Sequence, residues 1–250
     1  MTNGLEYRTI LPPAALATVV ESFWMLKNTT GADRPILLLP DGRIDVLFAQ
    51  AEAVPFHATL LGLGTAAEPT TFAAGTCIGG VSLRLAAPEY LLRTRVADLV
   101  NGARVLPADF WGITPEDVTN FEQFCEKLTT RLLMLLNPVI DPRKRKLFEL
   151  LYASDGTRPV QELADEAGWS SHQINRYFQE YFGLSLKTYC AILRFRAAFP
   201  QLKAGRLFPE QAFADQAHLQ RAFKASRSMV NADCATTRLE VASTRVTKVL

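Results

Sequence analysis

Histidine and cysteine are scarce in this 250-residue chain. The three histidines (His57, His172, His218) and four cysteines (Cys77, Cys125, Cys190, Cys234) all stand far apart. Without a C-x-x-C pair there is no zinc ribbon, and thiols scattered this way give no disulfide framework. Dispersed histidines offer no metal-ligand cluster. Long apolar runs are also missing: none approaches the roughly 18 residues needed to cross a bilayer. Met1 to Ile10 carries Glu6 and Arg8 and lacks a basic-then-apolar leader pattern. A cytoplasmic protein with no membrane partner is therefore expected. No nucleophile–base pair, metal set or phosphate-cradling loop is present, so neither an enzyme nor a cofactor is expected.

What the chain does have is a globular composition, with 48% hydrophobic and 21% charged residues. Its length fits two ordinary domains better than one. The net charge of +2 is unevenly divided: residues 1–140 carry ten Lys/Arg against fourteen Asp/Glu, and residues 141–250 seventeen against eleven. A basic half joined to an acidic half suggests that one part meets a polyanion.

Residues 1–112 have the pattern of a β-rich domain. Ile36 to Leu39, the turn Pro40-Asp41-Gly42 and Ile44 to Phe48 resemble two strands around a turn. Ile44, Val46 and Phe48 should share one strand face, with Arg43 and Asp45 on the other. Thr59 to Leu63 and Gly80 to Leu85 are further strand candidates, and Pro13 to Glu21 and Pro88 to Leu92 look like short helical inserts. Punctuation by glycine and proline fits a sandwich or barrel of short strands. Trp24, Phe48, Tyr90 and Trp111 are candidates to line a ligand pocket, or are plain core.

Residues 113–140 should hold one helix from about Pro115 to Leu136, with Thr114 as cap and Asp117 at the third position. Val118, Phe121, Cys125, Leu128, Leu132 and Leu135 follow a 3-4 spacing, the seam of a coiled coil. Two readings stay open: a helix packed on its own domain, or a dimerisation helix. Asn137-Pro138 and Asp141-Pro142 end it.

From Arg143 onward the periodic segments are short and helical. The strongest signal runs from Val160 to Phe178. A helix-turn-helix needs a small residue where its helices cross, and Ala164 supplies it. Four residues on, the turn needs a positive φ, which Gly168 adopts without steric cost. Ile174 then anchors the second helix, with Leu163, Ala167, Trp169, Tyr177 or Phe178, and Phe182 completing the apolar contacts. Ser170 is placed to cap that helix. His172, Gln173, Asn175, Arg176 and Gln179 remain on its outward face, with groups suited to base edges and phosphates. Arg143 to Lys146 and Lys187 are candidate phosphate contacts.

Leu163-Ala164 through Gly183-Leu184-Ser185, followed by Tyr189 and Leu193 to Ala198, resembles the AraC/XylS transcription regulators. That resemblance covers roughly residues 143–235. It implies two helix-turn-helix units on a linker helix, here about 186–202. His172, Asn175 and Arg176 would be base readers of the first unit, and Gln216, His218, Gln220 and Arg221 their counterparts in the second. The second unit departs from the family pattern: Gly205 to Phe213 is short, Pro209 limits any helix there, and Ala212 replaces the usual turn glycine. Leu39-Pro40-Asp41-Gly42 with Asp45, and Ala108 to Gly112, resemble a cupin-like sensor domain of the same family. His57 alone cannot supply a metal-dependent cupin's ligands.

The expectation is thus an α+β multidomain protein: a β-rich, barrel-like sensor (1–112), a connecting or dimerisation helix (113–140), an all-α DNA-binding domain (141–235) and an irregular tail (236–250). Its function would be sequence-specific binding of double-stranded DNA as a transcription regulator, as a homodimer responsive to a small-molecule effector and touching RNA polymerase. The alternative is a protein-interaction module acting on another regulator.

Overall fold

The computed structural model describes residues 4–51 and 54–199. Eight strands come first: β1 (Leu5–Ile10), β2 (Val20–Asn28), β3 (Arg34–Leu38), β4 (Ile44–Ala51), β5 (Val54–Leu61), β6 (Glu68–Phe72), β7 (Cys77–Leu83) and β8 (Ala103–Val105). Helices follow or interrupt them: α1 (Ala87–Tyr90), α2 (Pro115–Thr119), α3 (Phe121–Leu135), α4 (Pro142–Ala153), α5 (Val160–Ala167), α6 (Ser171–Phe182) and α7 (Leu186–Ala197). The architecture is mixed α+β, a β-rich sheet region followed by helices.

Six strands form an antiparallel sheet in the order β1-β2-β7-β4-β5-β8, and β3 and β6 form a separate two-stranded ribbon. The large sheet is open, with β1 and β8 at its edges, rather than a closed barrel. The alternation expected in β4 is present. Ile44, Val46 and Phe48 enter the main core, while Leu47 and Ala49 join a second cluster with Trp24, Leu26, Phe72 and Ile78. Because ribbon and helices cover opposite faces, Asp45 is buried as well. Ser82 Oγ donates to its carboxylate at 2.6 Å, and Trp24 Nε1 donates to Ser82 at 3.1 Å. Two adjacent glycines let large rings press on both sides of β7. A Cβ on Gly80 would lie 2.1 Å from the Trp24 ring, and one on Gly79 2.8 Å from Phe124.

Three local expectations are corrected. The strands flanking Pro40-Asp41-Gly42 do not pair with each other: β3 pairs β6, and β4 pairs β5 and β7. The turn carries the chain between layers because Ile36 and Leu38 bury against the outer face of the large sheet. Pro13 to Glu21 holds only a three-residue 3-10 turn, Ala14–Leu16, before β2 begins. The helix expected from Pro115 to Leu136 is broken at Asn120, which leaves helical geometry (φ −120°, ψ 101°) and caps α3 by accepting from Gln123 N–H at 3.2 Å. The start is as expected, with Thr114 N–H donating to Asp117 at 2.7 Å.

Of the two readings left open for the seam on that helix, the structure shows packing within the chain. Val118, Phe121, Cys125, Leu128 and Leu132 are buried in the same core as Phe48 and Val81, with Leu135 packed partly against it. A 3-4 apolar spacing serves a helix laid on a sheet as well as a coiled coil, and here the sheet takes the seam. The apolar side chains left exposed nearby are Leu133, Met134 and Val139. The main core runs without a gap from the strands through α3 to α7.

Candidate nucleic-acid interface

The α5–turn–α6 unit forms as its residues dictate. Ala164 and Ile174 are fully buried at the crossing, with Leu163, Ala167, Phe178 and Phe182. Gly168 ends α5 in the left-handed conformation (φ 65°, ψ 39°). Ser170 begins α6 with a reciprocal capping pair: Gln173 N–H donates to Ser170 Oγ at 3.2 Å, and Ser170 N–H donates to Gln173 Oε1 at 3.1 Å. Ser185 caps α7 with a single such bond, its Oγ accepting from Thr188 N–H at 3.1 Å.

With the opposite side of α6 buried, His172, Gln173, Arg176 and Gln179 are exposed. At about 3.6 residues per turn, His172, Arg176, Gln179 and Glu180 lie on one side of the helix. Two of the expected outward residues have structural work. The Gln173 oxygen is engaged in the cap. Asn175 is half-buried, and its Oδ1 accepts from Leu186 N–H at 3.2 Å, tying α6 to the start of α7. Lys187 is exposed in the first turn of α7.

Of the α4 cations read as candidate phosphate contacts, Arg143, Arg145 and Lys146 stay exposed, and Lys144 is drawn inward with its side chain 14% exposed. Arg143 pairs with Asp141 at 2.9 Å and lies 5.4 Å over the Trp169 ring; Lys146 pairs with Glu166 at 3.1 Å. Lys144 donates to both Glu89 oxygens at 2.6 and 2.7 Å, 4.4 Å above the Tyr177 ring. The Tyr177 hydroxyl donates to the same carboxylate at 3.0 Å; burial and the adjacent Glu89 charge push its pKa far up, so it stays a donor. Glu89 thus joins the β-rich region to the back of α6. Arg95 from the same region pairs with Glu180, and Val96 N–H donates to the Tyr181 carbonyl at 2.9 Å. Sequence reasoning missed these links, because the partners lie 55 to 88 residues apart with no local signal.

Trp24, Phe48, Tyr90 and Trp111 do not converge on a pocket. Trp24 lies on the ribbon side of the large sheet; Phe48 and Trp111 lie on the other, with ring centroids 6.3 Å apart. Tyr90 anchors the connection to α4: its hydroxyl accepts from Asp141 N–H at 3.2 Å, and its carbonyl accepts from Asn137 N–H at 2.9 Å. Burial pushes the thiol of Cys125 up to about 12 and that of Cys190 to about 11, opposite to what an activated nucleophile needs. Among the described residues no group of His, Cys, Asp or Glu could hold a metal, and no helix is long and apolar enough to cross a membrane. Gln216, His218, Gln220 and Arg221 lie outside the described residues, as does the tail.

Among solved structures the chain is similar to ToxT from Vibrio cholerae. An apo single-substitution variant shares 9% identity, covering 90% of this chain and 92% of that one, with a TM-score of 0.37. The wild-type protein with bound unsaturated fatty acid shares 10%, covering 91% of each, with a TM-score of 0.36. No curated protein matches. Over residues 8–105, within the β-rich region, the chain is similar to the family described as "Domain of unknown function (DUF6597)".

Proposed function

We propose that the protein is a sequence-specific DNA-binding transcription regulator that lays α6 in the major groove of double-stranded DNA. One observation carries the reading. His172, Arg176 and Gln179 stand exposed on one side of a short helix whose other side is locked into the core through Ile174, Phe178 and Phe182. Such a helix presents donors and acceptors without having to order itself on binding. Arg176 has the geometry to pair with guanine, and Gln179 and His172 suit neighbouring base edges or phosphates. Ser170 and Gln173 fix the helix start, and Lys187 is a candidate backbone contact. The readers inferred from resemblance at Gln216, His218, Gln220 and Arg221 belong to the same proposal as a weaker second unit.

On this reading the protein works in the cytoplasm beside RNA polymerase, and the β-rich region is its sensor and platform. A homodimer would use the exposed Leu133, Met134 and Val139 rather than the buried seam. A small-molecule effector gains no support from the four aromatic positions, since Trp24 lies on the opposite face of the sheet from Phe48 and Trp111.

Selection of fragments from a random DNA pool by the purified full chain tests the function. A defined site should emerge. Arg176→Ala should then weaken it by about 1–3 kcal/mol and relax preference at one base position. A pool that stays random after several rounds refutes the reading.

A further inference from the structure

The reading stripe of α6 contains one acid. Glu180 lies one turn beyond Arg176 on the same side, where a carboxylate would repel the phosphate backbone, which carries a negative charge about every 1.7 Å along the duplex. The structure answers that charge from the β-rich region. Arg95, between α1 and β8, forms an ion pair with Glu180 and lies over the Tyr181 ring, its guanidinium 5.6 Å from the ring centre. Both partners are well exposed, at 61% and 42% of their side chains. A pair that exposed adds little to folding, so its main consequence is for the field over α6. The loop is also held in register with the helix. Val96 N–H donates to the Tyr181 carbonyl at 2.9 Å. Gly183, at φ 71°, packs so close that a Cβ there would lie 2.4 Å from the Ala97 carbonyl oxygen. Arg93 is exposed on the same loop, two residues before Arg95.

We propose that this loop is part of the DNA interface: Arg95 neutralises Glu180, and Arg95 and Arg93 together contact the sugar-phosphate backbone where the C-terminal end of α6 leaves the groove. The C-terminal end of a recognition helix meets the backbone in other major-groove readers. The inference rests on the DNA-binding reading and extends it, because a region outside the helix-turn-helix then supplies backbone contacts.

The test uses the full chain and a DNA site selected by the wild type, with affinity measured across a salt series. Arg95→Ala should lose about five- to tenfold in affinity near 0.15 M salt and lower the slope of log affinity against log salt by about 1. The loss should be the same on a scrambled sequence, because phosphate contacts carry no sequence information. Arg95→Lys should keep the slope. Glu180→Gln, which removes the acid and leaves Arg95 unpaired with it, should tighten binding. An unchanged slope in Arg95→Ala, with wild-type binding intact, overturns this proposal. A wild type that selects no DNA refutes the function itself, which keeps the two failures apart.

Discussion

Asn175 illustrates how one side chain can be spent on structure in a position that looks made for recognition. It sits between Ile174 and Arg176 on α6, where an amide could read adenine. Its oxygen instead accepts from Leu186 N–H, one of the donors that the start of α7 leaves without a helical partner. Asn175→Ala should therefore cost about 0.5–1.5 kcal/mol in denaturant unfolding while leaving DNA site preference as it was. Unchanged stability with an altered preferred base would return Asn175 to the reading set. Among the described residues His172 and Gln179 make no such structural bond, and both stay exposed.

At the scale of elements, the two left-handed glycines that bracket α6 make a controlled comparison. Gly168 (φ 65°) has, beyond its chain neighbours, no atom of the described residues within 4 Å of where a Cβ would stand, so Gly168→Ala should cost only backbone strain, about 1–2 kcal/mol. Gly183 (φ 71°) has the same strain, but its Cβ would meet the Ala97 carbonyl oxygen at 2.4 Å and Val100 Cγ2 at 2.7 Å. A backbone atom cannot swing aside as a flexible side chain can. Gly183→Ala should cost about 2–5 kcal/mol, as strain and overpacking combine. Equal losses in chemical denaturation would show that the loop carrying Arg95 gives way freely and is not held to α6. The helix of the apolar seam makes the complementary point. Its spacing was legible, but spacing alone does not say which partner takes the seam, and β7 with its two glycines leaves room for Phe124.

Across the whole molecule, helices and sheet are joined by charge as well as by core. Glu21 on β2 meets Arg84 at 2.7 Å, Arg43 at 3.1 Å and Arg196 of α7 at 4.0 Å. Burial would raise its carboxyl, but the three guanidinium groups outweigh burial and hold its pKa below the ordinary 4.5. A carboxyl with a depressed folded pKa contributes stability that is present above its unfolded value and lost as pH falls through the folded one. Urea midpoints should therefore hold down to about pH 5 and decline in more acid solution. Other paired carboxylates, such as Asp117 and Asp141, add to that decline. The informative quantity is the difference from Glu21→Gln, which should start lower at pH 7 and decline less. Parallel curves for the two proteins would mean that Glu21 is not charged against its arginines in the folded state. Tyr189, whose hydroxyl donates to the Gly42 carbonyl at 2.9 Å, ties α7 to the same turn.

Local chemistry alone determined the α5–turn–α6 unit. Ala164 at the crossing, Gly168 in the turn, Ser170 at the cap and Ile174 in the core act over a few residues, so their spacing was enough to place them. The same holds for the alternation of Ile44, Val46 and Phe48, which depends only on the period of a strand. Tertiary structure decided everything that depended on a distant partner: that β3 leaves the large sheet, that the α3 seam faces β-strands, that Lys144 belongs to Glu89, and that Arg95 stands beside Glu180. Apolar spacing tells which face of an element is buried but not against what. An ion pair between residues many tens of positions apart leaves no periodic trace, because it exists only once the chain has folded and brought the two charges together.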